Sequence, residues 1–137
     1  MLMPEFQRLN LDWNADPNVP AEEVRATDSE VELRFRLNGF IYPADQGRSG
    51  RLAFSNCASW RLGILNDQGW YLGQCRYGRS APEWGEFYEL MGDDPLGRAP
   101  NDWETPPIRG IGDRHFLFYL RDSTFECFAA AWRFERV

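Results

Sequence analysis

Residues Val31-Glu32-Leu33-Arg34-Phe35-Arg36-Leu37 alternate apolar and charged side chains without a miss. Side chains along an extended chain point to opposite faces in turn, so this period of two marks a strand with one buried and one wet face. Just before it, Glu23-Val24-Arg25-Ala26-Thr27 is a weaker strand, and Asp28-Ser29 reads as the hairpin turn between them.

The same pattern recurs downstream. Arg51 to Phe54 is a short strand, and Trp60, Leu62 and Ile64 alternate with Arg61, Gly63 and Leu65. Asn66-Asp67-Gln68-Gly69 is a turn and Trp70 to Tyr77 its return strand. Glu86 to Leu90 is another strand, although its glutamates also permit a helical turn. His115 to Leu120 is nearly all apolar, as a strand covered on both faces should be. Arg121 to Thr124 turns the chain, and Phe125 to Glu135 returns with Phe128, Ala130, Trp132 and Phe134 on one face. The alanines at 129–131 permit a helix over 126–134, but the aromatic residues around them favour a strand.

Between these segments lie irregular ones. Residues 1–20 read as an N-terminal arm broken by Asn14, Asp16, Pro17, Asn18 and Pro20, with Leu9, Leu11 and Trp13 on one face if extended. Pro43 to Gly50 is a loop. Residues 91–112 form a long loop carrying four prolines and four glycines, and loops of that length are often functional. The expected fold is all-β, an antiparallel sandwich or flattened barrel of about seven to nine strands with little helix. At 137 residues the chain is expected to be a single domain, and its aromatic share of 15% suits a β core.

Composition closes several chemistries. All fifteen basic residues are arginine, so no Schiff-base, P-loop or general-base lysine exists. His115 is the only histidine. The three cysteines, Cys57, Cys75 and Cys127, are widely spaced, with neither a zinc signature nor a disulfide framework. A net charge of -6 argues against a nucleic-acid or anionic-membrane partner. With no apolar leader segment at its start and no bilayer-length apolar run, the chain is expected to be cytoplasmic. No cofactor and no metal are expected. Gly110-Ile111-Gly112 begins like a dinucleotide fingerprint but lacks the third glycine and leads into a strand.

Two constellations stand out. In a strand, Trp84, Glu86 and Tyr88 share one face, with Phe87 and Glu89 on the other. A tryptophan beside a carboxylate suits a sugar site, and a second carboxylate such as Glu126 or Asp67 would allow glycoside cleavage. The plainer reading packs Trp84 at the strand's start and pairs Glu86 with an arginine of the next strand. The second constellation places Trp70 and Arg76 with Leu72 and Gln74 on one face, where Arg76 could bind a carboxylate ligand. His115 is expected to be a strand-end residue satisfied by backbone, and Cys75 and Cys127 small core residues.

Aromatic hairpins of this kind suit many small bacterial domains of differing roles, so no mechanism follows from them. The sequence favours a non-enzymatic binding or protein-interaction domain. The alternative is a small-molecule pocket, for carbohydrate binding or hydrolysis, built from Trp70, Arg76, Trp84, Glu86 and Tyr88. Self-association as a structural protein is a third reading.

Overall fold

The computed structural model describes residues 5–63, 83–92 and 103–137. Through them run nine strands: β1 (Glu5–Arg8), β2 (Glu23–Thr27), β3 (Glu30–Arg36), β4 (Ser49–Ser55), β5 (Ser59–Gly63), β6 (Phe87–Met91), β7 (Arg114–Tyr119), β8 (Thr124–Ala129) and β9 (Ala131–Arg136). A single 3-10 turn at Pro43–Asp45 is the helical content of the described residues. The strands make two antiparallel sheets, ordered β1-β6-β7-β8-β5 and β2-β3-β4-β9. The all-β expectation holds.

Each sheet turns alternate side chains towards the other. Val31, Leu33 and Phe35 of β3 are buried, while Glu30, Glu32, Arg34 and Arg36 between them are half-buried or exposed. Val31 lies beside Phe54 and Leu33 beside Leu52 in β4, so the buried row continues across the sheet. From the opposite sheet, Phe116 and Phe125 approach Phe54 with ring centroids 5.3 and 5.4 Å away. Phe118 meets Phe35 edge-on at 5.3 Å. Each such ring contributes roughly 1.5–3 kcal/mol by leaving water, and offset or edge-on geometry adds to that.

The outward faces differ between the sheets. The four-stranded sheet carries an ionic lattice in which Arg51 bridges Glu32 and Glu135. The five-stranded sheet instead has a second apolar cluster of Tyr88, Leu90, Leu117 and Tyr119 on the face away from the main core. β7 is therefore buried on both sides from His115 to Tyr119, as its unbroken apolar run implies.

Three local expectations are corrected. The N-terminal segment is not wholly irregular, because β1 pairs with β6, Phe6 opposite Leu90. Leu9, Leu11 and Trp13 do not share an environment: Trp13 is in the core, whereas Leu11 is 74% exposed. Phe125 to Glu135 is two strands in different sheets, joined at Ala130. Phe125, Cys127 and Ala129 face the core from one sheet, and Trp132 and Phe134 face it from the other. Crossing the corner of a sandwich reverses which parity points inward, so Phe128 lies on the opposite face from its own sheet's core residues.

The corner depends on small residues. The backbone of Gly112 lies so close to Ala129 and Ala130 that a Cβ there would sit 2.1 Å from their atoms. Gly110 and Gly112 thus serve backbone packing, donating to Cys57 O and Asn56 O, and lead into β7. This agrees with setting aside a dinucleotide fingerprint.

Candidate functional site

The residues before β6 form the wall of a cleft. Gly85 has φ +86°, a left-handed conformation that glycine adopts without penalty. This turn ends just ahead of the strand, and Trp84 and Glu86, on either side of Gly85, both line the cleft. The lining also includes Asn14 and Asp16 of the N-terminal segment, Phe40 and Ile41, and Tyr119 and Arg121 at and just past the end of β7. The cleft has a volume of about 540 Å³, within the range of small-ligand sites.

Its walls are locally braced. Asp16 Oδ1 accepts from the backbone N–H groups of Asn18 and Val19 at 2.8 and 3.0 Å. Asn38 Oδ1 accepts from Phe40 and Ile41 N–H at 2.9 and 3.1 Å. These side chains replace backbone partners and hold the loops without secondary structure. Arg121 Nη1 donates to Asn18 O at 2.6 Å, tying the β7–β8 turn to the N-terminal segment. Trp84 stacks on Tyr119 with centroids 5.0 Å apart, so the indole is buttressed on a ring held in the second cluster.

Glu86 is the central polar group. Its Oε2 accepts from Asn10 Nδ2 at 2.6 Å, and Oε1 receives a longer contact of 3.4 Å from Asn14 Nδ2. Arg8 Nε lies 3.8 Å from Oε2. Burial raises the Glu86 carboxyl above its ordinary range, opposed by the Asn10 bond and the nearby Arg8 charge. The plainer expectation of an arginine partner is thus met in part, although the two amides are closer.

Tyr88 does not join this site. It belongs to the cluster behind the sheet, where Phe6 meets its ring edge-on at 5.7 Å. Its hydroxyl donates to Glu83 O at 3.2 Å and accepts from Glu83 N–H at 3.1 Å. Burial pushes the phenol up to about 12. Trp70 and Arg76 lie outside the described residues, as does Asp67.

Glu126, the other carboxylate considered as a partner for Glu86, does not line the cleft. It is buried with His115, whose Nε2 is 2.9 Å from Glu126 Oε1. His115 is therefore met by a side-chain carboxylate, a partner that the expectation of backbone satisfaction did not name. Phe128 stacks on its ring at 4.5 Å, and the buried Trp103 lies 5.5 Å from Phe128. Ser123 Oγ donates to Glu22 at 2.8 Å, and Cys127 lies in the main core.

Sequence reading missed Asn10, Asn14, Asp16, Asn38, Phe40 and Ile41. Asn10 and Asn14 are 76 and 72 positions from Glu86, and nothing local announces that contact. Phe40-Ile41 did carry a signal: two large apolar residues directly after the turn formers Asn38-Gly39. They are 72% and 66% exposed.

Among the described residues, no three His, Cys, Asp or Glu side chains gather as a metal ion would require, and no helix is long and apolar enough to cross a membrane. Compared with protein-family models, curated proteins and solved structures, the chain matches none.

Proposed function

We propose that the protein is a non-enzymatic binding domain whose ligand seats in the cleft between Trp84, Glu86, Asp16 and Arg121. The observation that carries this reading is the pairing of a buttressed indole with a shielded carboxylate in one concave site. Binding is favoured over glycoside hydrolysis because cleavage uses two carboxyl groups flanking one bond. Of the two carboxylates lining the cleft, Asp16 already holds the loop through one oxygen and Glu86 is held by two asparagines.

A screen of soluble small molecules by ¹⁵N-resolved NMR tests the site. Binders should move the amide signals of Asn14, Asn38 and Gly85 together. Binders that move only signals far from these residues would defeat the reading.

A second reading, a protein partner, is favoured by Phe40 and Ile41, which stand exposed at the cleft on a braced loop. Exposed adjacent apolar residues suit an interface anchor. The double variant Phe40→Ser/Ile41→Ser should keep its fold and lose a partner that the unaltered protein captures. Capture that survives both changes would count against this interface.

A further inference from the structure

We infer that the cleft takes a neutral saccharide, with a sugar ring against Trp84 and hydroxyls bonded to Glu86, Asp16 and Arg121. This inference rests on the cleft being the binding site. Four features of the cleft argue for this class of ligand over its rivals.

Charge is the first. Asp16, Glu86 and Arg121 line the cleft, and Arg8, outside the lining, stands 3.8 Å from Glu86. Inside the cleft two carboxylates stand with one guanidinium, and a second guanidinium offsets Glu86 from outside the lining. A basic peptide side chain would meet the arginines, and an anionic ligand would meet the carboxylates, each at a cost that a neutral molecule avoids.

Hydrogen-bonding capacity is the second. Glu86 Oε1 has only the 3.4 Å contact with Asn14, and the two N–H bonds to Asp16 both fall on Oδ1. A carboxylate oxygen has lone pairs for more than one donor, which suits vicinal hydroxyls. A purely apolar ligand would strip water from these groups and return nothing.

The third is the platform. Because Tyr119 supports the indole of Trp84, little ordering remains to be done when a flat C–H face of a pyranose approaches. The fourth is the mouth, where Phe40 and Ile41 add apolar surface beside polar groups. A sugar presents that same mixture of C–H faces and hydroxyl edges.

The test uses the whole chain, titrated by calorimetry and NMR with neutral di- and trisaccharides built of glucose, galactose, mannose or N-acetylglucosamine. Uronic-acid oligosaccharides and an arginine-rich peptide serve as comparison probes. A neutral saccharide should shift the amides of Asn14, Asn38 and Gly85. Trp84→Ala should weaken its binding by about tenfold or more, with Trp84→Phe in between. Glu86→Gln gives an independent check should Trp84→Ala fold poorly, and it should also weaken binding.

If the acidic oligosaccharides or the peptide occupy the cleft and neutral sugars do not, the saccharide inference is overturned and the binding site stands. If no probe moves the cleft amides, the saccharide inference falls, and a blank wider small-molecule screen would then take the binding site with it. Sugar binding that ignores Trp84 and Glu86 overturns both.

Discussion

The indole of Trp13 lies parallel to the ring of Phe134, with centroids 4.1 Å apart and planes 3° from each other. This stack joins the irregular segment after β1 to the last strand. Trp13 also contacts Phe35 and Phe118, so one tryptophan touches both sheets. Trp13→Ala should cost about 3–5 kcal/mol, the usual range for removing a large buried aromatic side chain. Urea unfolding should also show Trp13→Ala and Phe134→Ala combining to less than their sum, by roughly 0.5–1.5 kcal/mol. An unfolding midpoint unmoved by Trp13→Ala would mean that the segment is not part of the core.

Gly112 offers a sharper contrast. A Cβ there meets backbone atoms of Ala129 and Ala130 at 2.1 Å, and backbone cannot step aside as a side chain can. Gly112→Ala should destabilise by about 3 kcal/mol or more, since even ordinary overpacking costs 1–3. Gly47→Ala meets no atom within 4 Å, and its cost comes from its φ of +75° alone, about 1–2 kcal/mol. Thermal denaturation of the two variants separates contact from conformation, and equal losses would refute the close approach at the corner.

Arg136 of β9 donates to Asp45 through Nε at 2.8 Å and Nη2 at 3.4 Å, fastening the 3-10 turn to the sheet edge. Asp45 is 2% exposed. Arg136→Leu leaves a buried carboxylate without its cation and should cost about 1.5–3 kcal/mol. Chemical denaturation at neutral pH reads this directly. A loss below about 0.5 kcal/mol, the size of a surface change, would mean that the pair does not anchor the turn.

Tyr88 makes alkaline stability measurable. Its phenol is raised from 10 to about 12 in the folded protein, chiefly by burial, so the unfolded chain loses that proton first. The stabilising contribution is whole below pH 10 and disappears as pH climbs towards 12. Tyr88→Phe should therefore lower stability by about 1 kcal/mol at neutral pH through its lost hydroxyl bonds, yet decline less between pH 10 and 12. Parallel alkaline curves for the two proteins would contradict the burial of this hydroxyl.

Much of the architecture was legible because it is local. The alternation of Val31 to Leu37 announces β3 and its inward face, and the unbroken apolar run after Arg114 announces a strand buried on both sides. The site was legible only in part. Trp84 and Glu86 do line one cleft, and Trp84 packs against the cluster that holds Tyr88, but Tyr88 itself does not reach the cleft lining.

Sequence alone determined which segments extend and which face of most of them is apolar, since side-chain alternation follows from backbone geometry at each residue. It also determined that no lysine chemistry exists in this chain. Tertiary structure decided that β8 and β9 belong to different sheets, reversing the inward parity at Ala130. It also decided that Asn10 and Asn14 hold Glu86. Both depend on residues far apart in the chain meeting in space: a turn at a sandwich corner in one case, a hydrogen bond across 76 positions in the other.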